Sequence, residues 1–284
     1  MTPAHRSSRL FLSGQRSRDA LNAPAGPTVH VHGDSVSVDG LLLTTAPLSC
    51  VMDMLEDLIR SDCPHLVVTA NVDQILSLRK HPGLAAAYDV AAMRLIDGMP
   101  IAFLARLLGA RDVHRHTGAD LLPHCTALSA DRGWRIVITG GTDEVGSRAV
   151  SRLRQDHPGA AVYHVPFPII NSLDDPAANP VTSALHDLTP DIVFLCLGSP
   201  KQEKWFLRQQ PDLPQAVYVG TGAAIDFAAG TKVRAPRWIQ HLGFEWLWRL
   251  GQEPRRMAHR YLIRGPLFLG VAFRSWKQRN RTHP

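Results

Sequence analysis

The chain has 284 residues, with 31 Lys and Arg against 25 Asp and Glu, for a net charge of +6. That length holds one large α/β domain or one domain with an appendage, and no apolar run approaches the roughly 20 residues of a membrane-spanning helix. Cys50, Cys63, Cys125 and Cys196 show no paired CxxC spacing, so reduced thiols fit better than a disulfide framework or a zinc site.

Met1–Arg18 is polar and basic, and Leu10–Leu12 is too short for the apolar centre of a signal peptide, so none is expected. Residues 1–27 are rich in Ser, Arg, Pro and Gly and are predicted disordered. Alternation of Val29, Val31, Val36 and Val38 around His32-Gly33-Asp34 predicts a hairpin. His30 and His32 offer two metal-ligating side chains there, but no third accompanies them.

Apolar spacing predicts a helix over Thr45–Arg60, then a buried strand at Leu66–Thr69. Asn71 and Asp73 follow at the strand-to-helix handover, a place for a cap or a ligand. A helix through Lys80 and another over Ala85–Ala92 come next. A strand from Arg94 ends at Asp97-Gly98, and a helix covers Ile101–Leu108. Arg111–Asp120 reads as a polar loop leading to a helix at Leu121–Ala130.

Trp134–Thr139 is a strand, followed by Gly140-Gly141-Thr142 and a helix from Asp143. The turn is a poor match to a dinucleotide fingerprint, and Asp143 and Glu144 would repel a phosphate. That argues against an NAD-dependent oxidoreductase. Ala160–Tyr163 is a further strand, Pro166–Pro180 a surface loop, and Val181–Leu188 a helix.

The run Asp191–Leu197 reads as a buried strand that breaks at Gly198-Ser199 and restarts as a helix with Pro200 at its first position. Free N–H groups and the helix dipole make such a turn an anion site, and Lys201 and Gln202 add a cation and an amide. The plain alternative is a βα turn with an exposed Lys. Ala216–Val219 is the last strand, running into the small-residue turn Gly220–Asp226. Strands alternating with helices predict a Rossmann-like, mostly parallel sheet with helices on both faces. The loops after Thr69, Ile96, Thr139, Leu197 and Val219 are then expected to converge on one cleft.

From Thr231 to Pro284 there are twelve bases and two acids, so this segment carries +10 and the rest of the chain −4. Arg256, Arg260 and Arg264 recur every four residues, with Trp238, Trp246, Trp248, Leu250, Tyr261 and Phe268 nearby. The pattern reads as a membrane-surface segment; packed Trp with solvated Arg, or RNA binding, are the alternatives. The domains are thus residues 1–27 (extension), 28–230 (Rossmann-like catalytic domain) and 231–284 (basic helical appendage).

The ordered set Thr69-Ala70-Asn71, Asp97-Gly98, Arg115-x-Thr117-Gly118-x-Asp120, Gly140-Gly141, Gly198–Glu203, Gly220–Asp226, Arg234-Ala235-Pro236, Glu245-Trp246-x-x-Arg249-Leu250 and Glu253–Arg256 closely resembles the WecG/TagA/CpsF glycosyltransferases, glycosyltransferase family 26. The resemblance covers roughly residues 40–265. It implies an inverting, metal-independent transferase with no cofactor. Such an enzyme moves a sugar from a UDP-sugar (UDP-N-acetylmannosamine, its uronic acid, or UDP-glucose) onto a polyprenyl-diphosphate-linked saccharide in cell-surface polysaccharide synthesis.

By position, the resemblance makes Asp97 the general base, with Thr69 and Asn71 beside it. It makes Arg115 and Gln202 groups that act on the donor or its leaving diphosphate. Gly140, Gly141, Lys201, Gly222 and Asp226 are expected to contact substrate, and Arg249, Arg255, Arg256, Arg260 and Arg264 to contact diphosphate and membrane. The partners implied are the donor, the lipid-linked acceptor and an anionic membrane surface, with no nucleic acid. The location implied is peripheral, on the cytoplasmic face of the plasma membrane. Self-association is open, since some relatives assemble with the appendage displaced. The rival to catalysis is a protein that only binds a UDP-sugar or RNA.

Overall fold

A computed structural model describes residues 26–33, 35–169, 175–241, 243–258 and 264–282. The expected disorder of the extension falls, up to residue 25, outside the described residues, as do Arg260 and Tyr261.

The alternating N-terminal stretch forms strands β1 (Val29–His32) and β2 (Ser35–Val38), paired antiparallel. A third strand, β3 (Leu41–Leu43), extends this small sheet beyond the expected hairpin. It follows a two-residue turn in which Asp39 and Gly40 both have positive φ, the geometry that matches strand twist. The Asp39 carboxylate is buried and takes two bonds of 2.9 Å from Arg79 and one of 3.1 Å from the Thr28 N–H. His30 bonds the Thr28 hydroxyl at 3.0 Å.

The main sheet has six strands, all parallel: β4 (His65–Ala70), β5 (Met93–Ile96), β6 (Arg135–Thr139), β7 (Ala161–Val165), β8 (Ile192–Leu195) and β9 (Val217–Gly220). Their spatial order is β5-β4-β9-β8-β6-β7. The strands are apolar on both faces because both faces are covered. Leu66, Val68, Val193 and Leu195 belong to one core, and Val67, Ile192 and Phe194 to the other.

Helices α1 (Leu48–Ile59), α5 (Gly118–Arg132), α6 (Asp143–Asp156) and α9 (Ala224–Ala228) pack one face. Helices α2 (Val72–Ser77), α3 (Pro82–Val90), α4 (Met99–Leu107), α7 (Asn179–Leu188) and α8 (Lys201–Gln209) pack the other. Several helix starts lie one to three residues from expectation, and two of them have a visible local cause. Helix α5 begins at Gly118 because the Thr117 hydroxyl caps the Asp120 N–H at 3.2 Å. Pro200 is the N-cap of α8 rather than its first residue, and its bond to Ser199 is cis.

The C-terminal segment forms α10 (Arg237–His241), α11 (Glu245–Gln252), α12 (Pro254–Ala258) and α13 (Gly265–Thr282). Phe268, expected on an apolar surface, is instead buried with Val271 and Ser275 on the inner face of α13. That face packs against β1 and α2. The Ser275 hydroxyl accepts from the Val29 N–H at 2.8 Å, which ties the last helix to the first strand. The outer face exposes Leu269, Phe273 and Trp276. No described helix is long and apolar enough to cross a membrane.

Candidate active site

In chain order β4 and β5 build one edge of the sheet, β6 and β7 the other, and β8 and β9 fill the middle. The loops leaving the carboxyl ends of β4 and β6 therefore diverge, and a crevice opens between them. All five expected loops contribute to it. A polar chamber of about 320 Å³ is lined by Thr69, Asn71, Asp97, Gly141, Ser199, Gln202, Gly222 and Asp226, among others. The C-terminal segment walls it through Lys232, Val233, Arg249, Gln252 and Glu253. Helix α11 holds that wall, since Trp248 Nε1 and Gln252 Nε2 both donate to the Val233 carbonyl.

A second chamber of about 500 Å³ adjoins the first. Its walls are mostly apolar: Met99 and Pro100 from α4, Trp246 from α11, and Pro266, Phe268 and Leu269 from α13. Asn71, Asp73, Asp97 and Arg249 line both chambers, so Asp97 stands on the shared wall. Its backbone N–H bonds the Ala70 carbonyl at 2.9 Å, which fixes the β5 exit beside that of β4.

The other expected residues fall into three groups. Thr69, Asn71, Gln202, Gly222 and Asp226 line the polar chamber, and Arg115 lines the apolar one. Gly141 lines the chamber with φ +69°, while Gly140 is buried behind it. A Cβ on Gly140 would lie 2.7 Å from the Cys196 carbonyl oxygen, so the glycine lets β6 and β8 close together. Lys201 and Arg255 are exposed and line neither chamber; Arg256 lies in α12, and Arg264, just before α13, lines the apolar chamber.

Most of these side chains are engaged within the protein. Asn71 and Gln74 form a capping box, each side chain bonding the other's backbone N–H, at 3.1 and 3.2 Å. Thr69 donates to the Gly220 carbonyl at 2.8 Å. Gln202 accepts from the Gly222 N–H at 3.1 Å and donates to Glu203 at 3.0 Å. Arg115 and Arg249 meet Glu245 at 3.1 and 3.0 Å. Lys232 meets Asp226 and Glu253 at 2.7 and 3.0 Å, and Arg264 pairs with Asp73.

Glu203 and Glu245 stand in the motifs that carry the resemblance, but no role was expected of either. Glu203 is fully buried, and its Oε1 accepts from Gln74 and Gln202 at 3.0 Å each. Gln74 in turn accepts from Tyr88 at 3.0 Å. This network joins the exits of β4, β8 and β9 beneath the cleft. Burial raises the Glu203 pKa, while the amides of Gln202 and Gln74 and the Ser199 hydroxyl work against the shift. The first turn of α8 is thus not simply basic, because a buried carboxyl already faces the helix N-terminus. The available signal was spacing: Gln202 and Glu203 lie three residues before Trp205 and Phe206, both buried.

Cys196 also lines the polar chamber, but burial pushes its thiol up to about 11, so it is protonated at neutral pH and no nucleophile. Burial also pushes the Asp120 carboxyl up, but Arg234 and the Thr117 hydroxyl outweigh it and bring the net pKa below the usual carboxylate range.

The description "Glycosyl transferase WecG/TagA/CpsF family" matches residues 36–282. An N-acetylglucosaminyldiphosphoundecaprenol N-acetyl-beta-D-mannosaminyltransferase of Staphylococcus aureus strain MRSA252 is 27% identical over 203 residues, covering 72% of this chain and 77% of that protein. The protein of the same name from strain MW2 is 26% identical over the same shares. The chain belongs to the WecG/TagA/CpsF family and is a glycosyltransferase.

Proposed function

We propose that this glycosyltransferase moves a sugar of the N-acetylmannosamine type from its UDP donor onto a polyprenyl-diphosphate-linked acceptor, inverting the anomeric centre without a metal. The relatives' names support the sugar and the N-acetylglucosamine-bearing lipid acceptor. One observation carries the reading of the site: Asp97 lines both the polar and the apolar chamber. A donor in the first and an acceptor in the second would meet at its carboxylate.

Asp97 takes the proton of the acceptor hydroxyl as that oxygen attacks the anomeric carbon from the face opposite the diphosphate. The bond to UDP breaks, and its electron pair stays on the diphosphate oxygen. Arg249, which lines both chambers, would stabilise that charge, with Arg115 beside it across Glu245; guanidinium forks suit phosphate oxygens.

The lipid part of the acceptor enters through the apolar chamber. Helices α4 and α13 both start at its rim, and Arg279 of α13 donates to the Leu107 carbonyl of α4 at 2.8 Å. Their outer faces expose Phe103 and Leu107, and Leu269, Phe273 and Trp276. This stripe supports docking at the cytoplasmic face of the membrane, with Lys277 and Arg279 meeting anionic headgroups.

A UDP-release assay over a panel of UDP-sugars tests the proposal. Each is run with and without a short-chain polyprenyl-diphosphate-N-acetylglucosamine, and again in EDTA. Acceptor-dependent, EDTA-insensitive release from UDP-N-acetylmannosamine is expected. Release from another donor alone overturns the sugar, loss in EDTA overturns the metal-free mechanism, and no release from any donor overturns the reaction.

A further inference from the structure

Among the described residues four basic side chains line the two chambers: Arg115, Lys232, Arg249 and Arg264. Each already faces a carboxylate. A diphosphate arriving between them must exchange with an acid for their hydrogen bonds.

The pairs are not equivalent. Lys232 is held by two carboxylates. Arg264 is held by Asp73 and also donates to the Ser77 hydroxyl at 2.6 Å. Glu245 is the reverse case, one carboxylate shared by two guanidiniums. Its Oε2 meets Arg115, from the loop before α5, and its Oε1 meets Arg249, one turn along α11. Arg234 Nε stands 4.0 Å from Oε1. The residue is 9% exposed. Two guanidinium forks converging on one oxyanion is the arrangement that binds a phosphate group.

We infer that Glu245 is an internal counter-ion that holds Arg115 and Arg249 together and gives them up to the diphosphate of the substrate. It is a positioning residue, acting through the two arginines. Entry of the diphosphate displaces the carboxylate from at least one guanidinium. Return of the carboxylate after transfer helps expel UDP. The acid is therefore expected to weaken ligand binding while aiding turnover, the opposite of what a purely structural ion pair does.

This rests on the reading of the substrate as a diphosphate, so the test uses two probes. Titration calorimetry of the full chain with UDP and with inorganic pyrophosphate compares wild type, Glu245→Gln and Glu245→Asp. Glu245→Gln keeps the volume and one acceptor but removes the charge. It is expected to bind both probes about tenfold more tightly, with a steeper loss of affinity as salt is added. In turnover, KM for the donor and kcat both fall. Glu245→Asp keeps the charge but withdraws the carboxylate by one methylene, and shifts both quantities the same way by less.

Unchanged or weaker binding in Glu245→Gln, with a native melting curve, overturns the inference. If that variant does not fold, Glu245→Asp decides, and no gain in its affinity overturns it. Should wild type bind pyrophosphate but not UDP, the nucleotide reading fails while the comparison of variants still stands. Failure of all three proteins to bind either probe overturns both.

Discussion

Replacing Glu203 gives the sharpest test of how the cleft floor is held. The carboxyl is fully buried, and Oε1 receives the amide N–H groups of Gln74 and Gln202 at 3.0 Å each. Glu203→Leu keeps the volume and strands both donors. At roughly 1–3 kcal/mol for each buried unsatisfied donor, the loss comes to about 2–6 kcal/mol. Glu203→Gln keeps an oxygen for both donors and imitates the protonated acid, so at low pH it is nearly neutral. The variants part company as pH rises. Burial raises the folded-state pKa of Glu203, whereas the unfolded value stays near about 4.3. Above that pH the unfolded chain releases the proton and the folded protein keeps it. The folded state then binds more protons, so wild-type stability falls with rising pH until the folded pKa is passed. The fall is at most about 1.4 kcal/mol per pH unit, and Glu203→Gln escapes it. Urea unfolding of both proteins from about pH 4 to about pH 8, at matched m-values, reads the difference directly, because the other titrating groups cancel. Glu203→Gln is expected to gain on wild type steadily above about pH 4.3. A difference independent of pH, or one that moves toward wild type, would refute the claim that burial dominates this carboxyl.

Two further outcomes follow from the same geometry. Asp97→Asn should keep UDP affinity and melting temperature while kcat drops by roughly 10²–10⁴; near-normal turnover in a stopped-flow or coupled assay removes it as the base. Phe273→Glu with Trp276→Glu places charges on the exposed face of α13 and should lower co-sedimentation with anionic vesicles while leaving thermal stability nearly unchanged; equal sedimentation puts the membrane contact elsewhere.

The sheet could be read from sequence because each central strand is a short apolar run between turn residues, and burial of both faces leaves no polar alternation to confuse it. The convergence of five loops followed from that reading. Local chemistry was less visible. Leu41–Leu43 is too short and too uniform to announce a third strand. Thr117 looked like part of a polar loop until its hydroxyl was seen to cap α5. Glu203 sits among Lys201, Gln202 and Lys204, where an acid reads as one more surface charge; the helix turns it inward with Trp205. Glu245 depends on two partners, one of them 130 positions away, and no local pattern reports such a meeting. Phe268 was assigned to a surface by its basic neighbours, but the side of the helix, not the composition of the segment, decides what is buried.

The strand made last stands in the middle. Strand β9 pairs with β4 on one side and β8 on the other. A nascent chain that has emerged only as far as β8 therefore holds two half-sheets, β5-β4 and β8-β6-β7, whose inner edges face a slot that nothing yet fills. Until Val217–Gly220 leaves the ribosome, those edges are unpaired and open to another chain. Synthesis must run through more than three quarters of the 284 residues before they are sealed. Closure of the sheet thus waits for β9, and premature stops before it should yield chains that chaperones hold or proteases clear rather than a partial enzyme.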